Sequence, residues 1–242
     1  HGLNFASMMD SLNSYAPNTI VVLHACCHNP TGVDMTTEQW KQVVEVIKAK
    51  NLIPFLDMAY QGFADGIQQD GLAVRLFAES GLPFFVSSSF SKSFSLYGER
   101  VGALSIVTTS KDEATRVLSQ VKRVIRTNYS NPPTHGGTIV ASVLTSPELR
   151  AMWEQELGEM RDRIKSMRNA LVDKLAAKGV KTDFSFVKAQ RGMFSYSGLT
   201  SAQVDRLRTE HGIYAVSTGR ICVAALNTHN IDAVVNAIAD VL

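Results

Sequence analysis

Short apolar runs alternate with amphipathic segments over the first 109 residues. The runs cover residues 19–27 (TIVVLHACC), 52–57 (LIPFLD), 82–89 (LPFFVSSS) and 101–109 (VGALSIVTT). Each run is continuously apolar, which is typical of strands that are buried on both faces. The segments 36–50 and 71–80 instead place apolar side chains at helical spacing. The pattern predicts an α/β fold with a mostly parallel sheet covered by helices.

The second half of the chain is more helical. Residues 111–127 and the stretch after Pro133 have helical periodicity, and a long apolar stripe runs from Pro147 to about Lys178. Short strands are predicted near 193–199 (MFSYSGL) and 221–226 (ICVAAL), with helices starting at Ser201 and Asn230. Because a helix this long often bridges two domains, we predict a large domain at 1–146 and a smaller α+β domain at 147–242.

Composition restricts the function. The chain has 242 residues, a net charge of +2 and 45% hydrophobic residues, so no strong field recruits nucleic acid or an anionic membrane. No apolar run approaches the roughly 20 residues of a transmembrane helix. Three cysteines, two of them adjacent, make a poor disulfide framework and favour a cytoplasmic setting. The sequence opens at His1 without an initiator methionine or signal peptide, which indicates a fragment of a longer protein.

Polar clusters follow three of the predicted strands. They are His28-Asn29-Pro30 after the first strand, residues 57–60 after the second and residues 87–92 after the third. Because ligands of parallel sheets bind beyond the carboxyl ends of the strands, we expect these clusters to converge in one site.

Lys92 is the candidate nucleophile of this site. A lysine captures carbonyl groups when burial or cationic neighbours lower its pKa. Ser89, Ser91 and Arg100 nearby offer hydroxyls and a guanidinium, which are the groups that bind a phosphate monoester. Taken alone, Lys92 fits a surface-loop lysine better than a nucleophile, and Arg100 is equally a solvated partner of Glu99.

Asp57, Tyr60 and Asn29 have both chemical and structural interpretations. A carboxylate at a buried strand end can bind a protonated pyridine nitrogen, or it can cap the next turn. Tyr60 and Asn29 can donate to a ring oxygen, with Asn29 in a turn of special backbone geometry such as a cis peptide, or they can be a packed core tyrosine and part of a plain loop turn.

Six motifs in order give the chain a family resemblance. They are CCHNPTG, FLDMAYQGF, SSSFSKSFSLYGERVG, RTNYSNPP, RGMFSYSGL and GRICVAAL. Together the motifs resemble those of the aspartate/aromatic aminotransferases, class I pyridoxal-phosphate enzymes of fold type I. By this resemblance the chain corresponds to about the C-terminal 60% of such an enzyme.

The resemblance implies roles for individual residues. Lys92 is the Schiff-base lysine and moves the proton during catalysis. The other cofactor-binding residues are Asn29, Asp57, Tyr60, Ser89 and Arg100. Of these, Asp57 pairs with the pyridinium nitrogen, and Asn29 and Tyr60 bind the 3′-oxygen. The phosphate is bound by Ser89 and Arg100. The substrate-binding residues are Asn29, Arg126, Phe194 and Arg220, where Arg220 clamps the α-carboxylate and Arg126 reaches a second carboxylate in the neighbouring subunit's site.

The implied activity is a ping-pong transfer of the amino group of aspartate, tyrosine or phenylalanine to 2-oxoglutarate. The implied cofactor is pyridoxal 5′-phosphate, and the implied assembly is a homodimer with shared active sites and contacts at Ser130 and Asn131. A truncated, non-catalytic remnant and a β-decarboxylase or lyase on the same fold are the alternatives. Because the family's N-terminal portion precedes the counterpart of His1, we expect the chain alone to be poorly soluble or inactive.

Metal binding is not expected. His24, Cys26, Cys27 and His28 crowd together in sequence, but successive strand residues point to opposite faces and cannot all converge. No nucleic-acid module and no membrane segment are predicted.

Overall fold

The computed structural model describes residues 2–242, and its centre is a four-stranded sheet. The strands are β1 (Ile20–His24), β2 (Ile53–Met58), β3 (Phe84–Ser89) and β4 (Gly102–Val107), in the order β1-β2-β3-β4. The first three strands are parallel, which confirms the predicted α/β class. β4 is antiparallel to β3, so the sheet is mostly parallel, as predicted. No crossover helix separates β3 from β4, and without one the chain returns in the opposite direction.

Three helices pack with this sheet around one core. They are α1 (Phe5–Ser14), α2 (Thr37–Ala49) and α4 (Leu72–Glu79), with the short α3 (Ile67–Asp70) before α4. A capping box formed by Thr36 and Gln39 starts α2, and the helix buries four of its apolar side chains: Trp40, Val43, Val44 and Ile47. α1 was not predicted from the sequence.

The middle of the chain forms three successive helices. They are α5 (Lys111–Asn128), α6 (Thr134–Thr145) and α7 (Pro147–Ala177). α7 begins as predicted, with Ser146 as its N-cap and Pro147 in its first turn. None of the residues of α5 is buried, and Leu118 and Val124 are 53% and 64% exposed.

The C-terminal part packs on α7. It contains α8 (Phe186–Ala189), β5 (Phe194–Tyr196), α9 (Ser201–His211), β6 (Arg220–Cys222) and α10 (Ile231–Val241), and β5 pairs with β6 in an antiparallel manner. The core of this part also includes Cys26, Cys27 and Tyr60 from the loops after β1 and β2. Side chains from both predicted domains therefore share one core, and the division at residue 146 stays a prediction.

Across residues 2–242, no helix has both the length and the apolar character needed to cross a bilayer.

Candidate functional site

The carboxyl ends of β1, β2 and β3 lie side by side. The register pairs His24 with Asp57 across β1 and β2, and Asp57 with Ser87 across β2 and β3. His24 Nε2 lies 3.9 Å from Asp57 Oδ2, and the Asp57 side chain remains 38% exposed. The polar clusters predicted from the sequence therefore meet at one edge of the sheet, with Asp57 on the middle strand.

The turn after β1 is fixed by a half-buried carboxylate. Asp34 accepts hydrogen bonds from the backbone N–H groups of Cys27 and His28, at 2.7 and 2.8 Å. Burial raises the pKa of Asp34, and these two hydrogen bonds partly oppose the shift. The Asn29–Pro30 peptide bond is cis, as the sequence suggested. Asp34 thus holds the turn that carries Asn29.

Four side chains beyond this turn contact one another, and we call them the Asn29–Arg220 network: Asn29, Tyr60, Phe194 and Arg220. Arg220 Nη1 donates to Asn29 Oδ1 at 2.9 Å, and Asn29 Nδ2 donates to the Tyr60 hydroxyl at 3.3 Å. The Arg220 guanidinium lies 4.6 Å from the centre of the Phe194 ring, which packs edge-on against Tyr60 at 5.9 Å. Residues that are 191 positions apart are therefore joined by direct contacts.

Tyr60 links this network to Lys92. The Lys92 Nζ lies 4.9 Å from the centre of the Tyr60 ring. Tyr60 is only 5% exposed, and burial raises the pKa of its phenol, although the hydrogen bond from Asn29 opposes the shift. A neutral phenol at neutral pH can both accept from Asn29 and donate to a ligand oxygen.

Lys92 itself lies in a helical turn just after β3. Phe94 N donates to Phe90 O and Ser95 N donates to Lys92 O, both at 3.2 Å. Ser91 and Ser93 on either side of Lys92 are buried, while Lys92 is half-buried. The turn therefore directs the Lys92 amine toward the Tyr60 ring, and the alternative of a freely solvated loop lysine does not describe this position.

Ser89 and Arg100 flank the same turn. Ser89 Oγ accepts a hydrogen bond from Ser91 N at 3.2 Å, which leaves its hydroxyl hydrogen available. Arg100 has a left-handed backbone with φ of 52° and donates to Tyr97 O at 3.1 Å. A guanidinium has five N–H donors, so Arg100 keeps donors for an anion.

Arg126 lies apart from these residues. It is exposed near the end of α5 and donates to Ser130 Oγ at 2.5 Å. Ser130 and Asn131 are exposed as well. The structure contains one chain, so the reach of Arg126 into a neighbouring site and the dimer contact stay predictions.

Two polar residues that hold the site were missed in the sequence. Asp34 is one, and no spacing singled it out. Arg168 is the other, at 2% exposed, and it donates to Gly192 O at 2.7 Å, to Phe194 O at 2.8 Å and to Ser195 Oγ. Burial lowers the pKa of Arg168 to about 10. A signal existed, because Arg168 falls on the apolar stripe of α7 between Ile164 and Leu171.

The crowded histidines and cysteines separate into two groups. The rings of His24 and His28 lie 4.8 Å apart, whereas the thiols of Cys26 and Cys27 lie within 4.8 Å of each other and of an Asp70 oxygen. The expectation that adjacent residues diverge was wrong for the two cysteines, because both lie beyond the end of β1 and Cys27 has a φ of 54°. The Asp70 oxygens already accept from Gly62 N, Ala64 N and Asp65 N.

The donor set fits pyridoxal phosphate. The site provides one group for each polar part of that molecule. These groups are the Lys92 amine, the Asp57 carboxylate, the Tyr60 phenol with the Asn29 amide, and the Ser89 hydroxyl with the Arg100 guanidinium. The fit rests on the chemistry and placement of these residues.

Comparison with known proteins gives consistent matches. The family model for aminotransferase class I and II matches residues 1–238. An aspartate aminotransferase of Pseudomonas aeruginosa is 71% identical over the whole chain, and an aromatic-amino-acid aminotransferase of Escherichia coli is 50% identical. The crystal structure of an aromatic-amino-acid aminotransferase from Burkholderia pseudomallei, covalently bound to pyridoxal phosphate, superposes with a TM-score of 0.98 at 76% identity, covering 100% of this chain and 60% of that one.

The chain spans about 61% of the length of the curated relatives it matches. This share agrees with the predicted share of about 60%, but the coverage gives no support for placing it at the C-terminal end. Poor solubility or inactivity of the 242-residue chain alone, and its location in the cytoplasm, stay predictions.

Proposed function

Because the chain belongs to the aminotransferase class I and II family, we propose that it forms the catalytic part of a pyridoxal-phosphate-dependent aminotransferase. The proposed substrates are aspartate and the aromatic amino acids tyrosine and phenylalanine, with 2-oxoglutarate as the amino-group acceptor. The proposed assembly is a homodimer in which Arg126 contributes to the neighbouring site.

One observation carries the proposal. Tyr60 contacts both the Lys92 amine, at 4.9 Å, and the network that holds Arg220. A guanidinium is suited to bind a carboxylate through two parallel hydrogen bonds. An amino acid whose carboxylate is bound by Arg220 therefore presents its α-carbon and amino group toward the side of Tyr60 where Lys92 lies.

The residues have distinct proposed tasks. Pyridoxal phosphate, when bound, supplies an electron sink for the bond that loses its proton. Lys92 would hold the cofactor covalently, and once the amino group of the substrate has displaced it, the freed amine would move the proton as a positioned general base. Asp57 would keep the ring nitrogen protonated, Tyr60 and Asn29 would bind the 3′-oxygen, and Ser89 and Arg100 would bind the phosphate.

The substrate preference has two supported candidates. Similar proteins are named for aspartate in one case and for aromatic amino acids in another. Arg126 suits the second carboxylate of aspartate, and Phe194 offers an apolar surface beside Arg220 for an aromatic side chain. We therefore propose that both classes are substrates.

The test is a transamination assay on the longest form of the protein that its gene encodes. With 2-oxoglutarate present, aspartate, tyrosine and phenylalanine should each yield glutamate and the matching 2-oxo acid. Lys92→Ala should abolish this reaction, whereas Lys111→Ala, which removes an exposed amine from the start of α5, should leave it unchanged.

Two outcomes would contradict the proposal. Release of carbon dioxide or ammonia without formation of glutamate would indicate the decarboxylase or lyase alternative. A folded protein that neither binds the cofactor nor turns over any amino acid would indicate the non-catalytic remnant.

A further inference from the structure

The turn that carries Lys92 is attached to a helix far away in sequence. Trp153 Nε1, on α7, donates to Ser93 O at 2.6 Å, across 60 positions. The indole also stacks on Phe94, with ring centres 4.6 Å apart and planes inclined by 22°. One side chain therefore contacts the two residues that directly follow Lys92.

This contact fixes both ends of the turn. Phe94 packs edge-on against Phe90 at 5.6 Å, and Phe94 N donates to Phe90 O. The indole holds the Ser93 carbonyl and the Phe94 ring, and Phe94 in turn holds Phe90. Rotation of the turn about its axis would break the indole hydrogen bond or the ring stack, so Trp153 restricts the direction of the intervening Lys92 side chain.

The same helix contacts other segments of the site. One turn after Trp153, Leu157 packs so closely on Gly62, in the loop after Tyr60, that an added Cβ at Gly62 would lie 2.4 Å from Leu157. Farther along, Arg163 donates to Ala224 O and Leu226 O, just past β6.

Arg168 continues this series with its bonds to Gly192 O and Phe194 O. From Trp153 to Arg168 the helix rises about 22 Å at 1.5 Å per residue. α7 thus sets the spacing between the turn of Lys92 and the strands of Phe194 and Arg220.

We propose that Trp153 is a positioning residue for Lys92, which it holds in register with the Asn29–Arg220 network through α7. This inference rests on the proposed function, because the register matters when Lys92 and Arg220 act on one substrate. A small misplacement of a catalytic group by a remote change is sufficient to slow a reaction strongly.

The test compares two Trp→Phe variants of the full protein. Trp153→Phe keeps a ring for stacking and removes the N–H donor. Trp40→Phe is the matched control, because Trp40 is buried against Phe77 in the other core and has no contact with the turn. These are the two tryptophans of the chain.

Three readouts are expected to separate the variants. In Trp153→Phe, hydrogen exchange of the Phe94 and Ser95 amides should accelerate about tenfold. The pH midpoint of the yellow absorbance formed with added pyridoxal phosphate should shift by at least about 0.5 pH unit. The kcat should fall about tenfold, while KM stays within about twofold of the wild-type value. Trp40→Phe should lower the melting temperature and leave all three readouts at wild-type values.

The proposal is overturned if Trp153→Phe and Trp40→Phe give the same exchange, midpoint and kcat. If Trp153→Phe does not fold, Phe94→Leu takes its place, since it removes the stack and keeps the N–H bond. A shift of the midpoint in Phe94→Leu relative to Trp40→Phe then supports the proposal, and no shift overturns it. A wild-type protein without yellow absorbance would refute the proposed function, and the hydrogen-exchange comparison would still decide the role of Trp153.

Discussion

The two halves of the candidate site are held in different ways. The Asn29–Arg220 network consists of side chains that bind one another, from Arg220 through Asn29 to the Tyr60 hydroxyl. The second half, which we call the strand-end group, consists of Asp57, Ser89, Lys92 and Arg100. Its members are positioned by backbone structure and by local bonds, such as those of Ser89 to Ser91 N and of Arg100 to Tyr97 O.

This difference indicates two kinds of preorganisation. The network has its arginine oriented before any ligand arrives, which lowers the entropy that binding a carboxylate would cost. The strand-end group keeps hydrogen-bonding capacity at the end of the sheet, where a larger polar ligand can use it. A change at Arg220 should therefore act on substrate binding, whereas a change in the strand-end group should act on the cofactor.

The largest expected effect comes from breaking the network. Arg220→Leu removes a bidentate partner of the substrate carboxylate, and two charge-assisted hydrogen bonds of about 2 kcal/mol each amount to about 4 kcal/mol. We expect kcat/KM for every amino acid to fall about 10³-fold. Steady-state kinetics with aspartate and phenylalanine measure this loss.

Arg150→Leu is the matched control for this change. Arg150 is exposed on α7 and pairs with Glu154 at 2.9 Å, so its removal should leave the kinetics unchanged. Equal losses in the two variants would show that the Arg220 guanidinium has no specific task.

A smaller effect is expected in the strand-end group. Asp57→Asn keeps the shape of the side chain and removes the fixed anion, so the cofactor ring should lose its proton more readily. We expect kcat to fall about 10²-fold, with KM changed much less.

The corresponding control is Asp232→Asn, which changes an exposed carboxylate that pairs with Lys174. If Asp57→Asn raised KM and left kcat unchanged, the assignment of Asp57 to cofactor binding would be wrong.

The smallest effect concerns the turn after β1, which Asp34 supports and which carries Asn29. Asp34→Ala leaves the N–H groups of Cys27 and His28 without their acceptor, although it also relieves the burial of a carboxylate. We expect a net loss of about 2 kcal/mol in the free energy of unfolding, measured by urea denaturation. Asp205→Ala, at an exposed pair with Arg208, should change stability by less than about 0.5 kcal/mol. Equal stability of both variants would show that Asp34 does not hold the turn.

The sequence predicted those features that repeat along the chain. Continuous apolar runs located β1, β2 and β3, and the polar residues at their ends came together as expected. The direction of β4 was not predictable from its composition, since an apolar run has the same pattern in either orientation.

The supports of the site were harder to find. Arg168 and Trp153 act through hydrogen bonds to carbonyls that are distant in sequence, and such bonds leave no local pattern. Their side chains also fit the helical periodicity of α7, which predicts packing and not a bond to the site. The roles of the individual site residues came from the family resemblance, because each residue alone also fits a structural interpretation.

The most direct test of the account is to trap the cofactor on its lysine. The full protein is incubated with pyridoxal phosphate, reduced with borohydride, digested and analysed by mass spectrometry. We predict that the reduced pyridoxyl group is found on Lys92 in the peptide SSSFSKSFSLYGER, and that Lys92→Ala loses both this label and the yellow colour. Labelling of another lysine at equal yield, or no labelling of a folded protein, would contradict the assignment of Lys92.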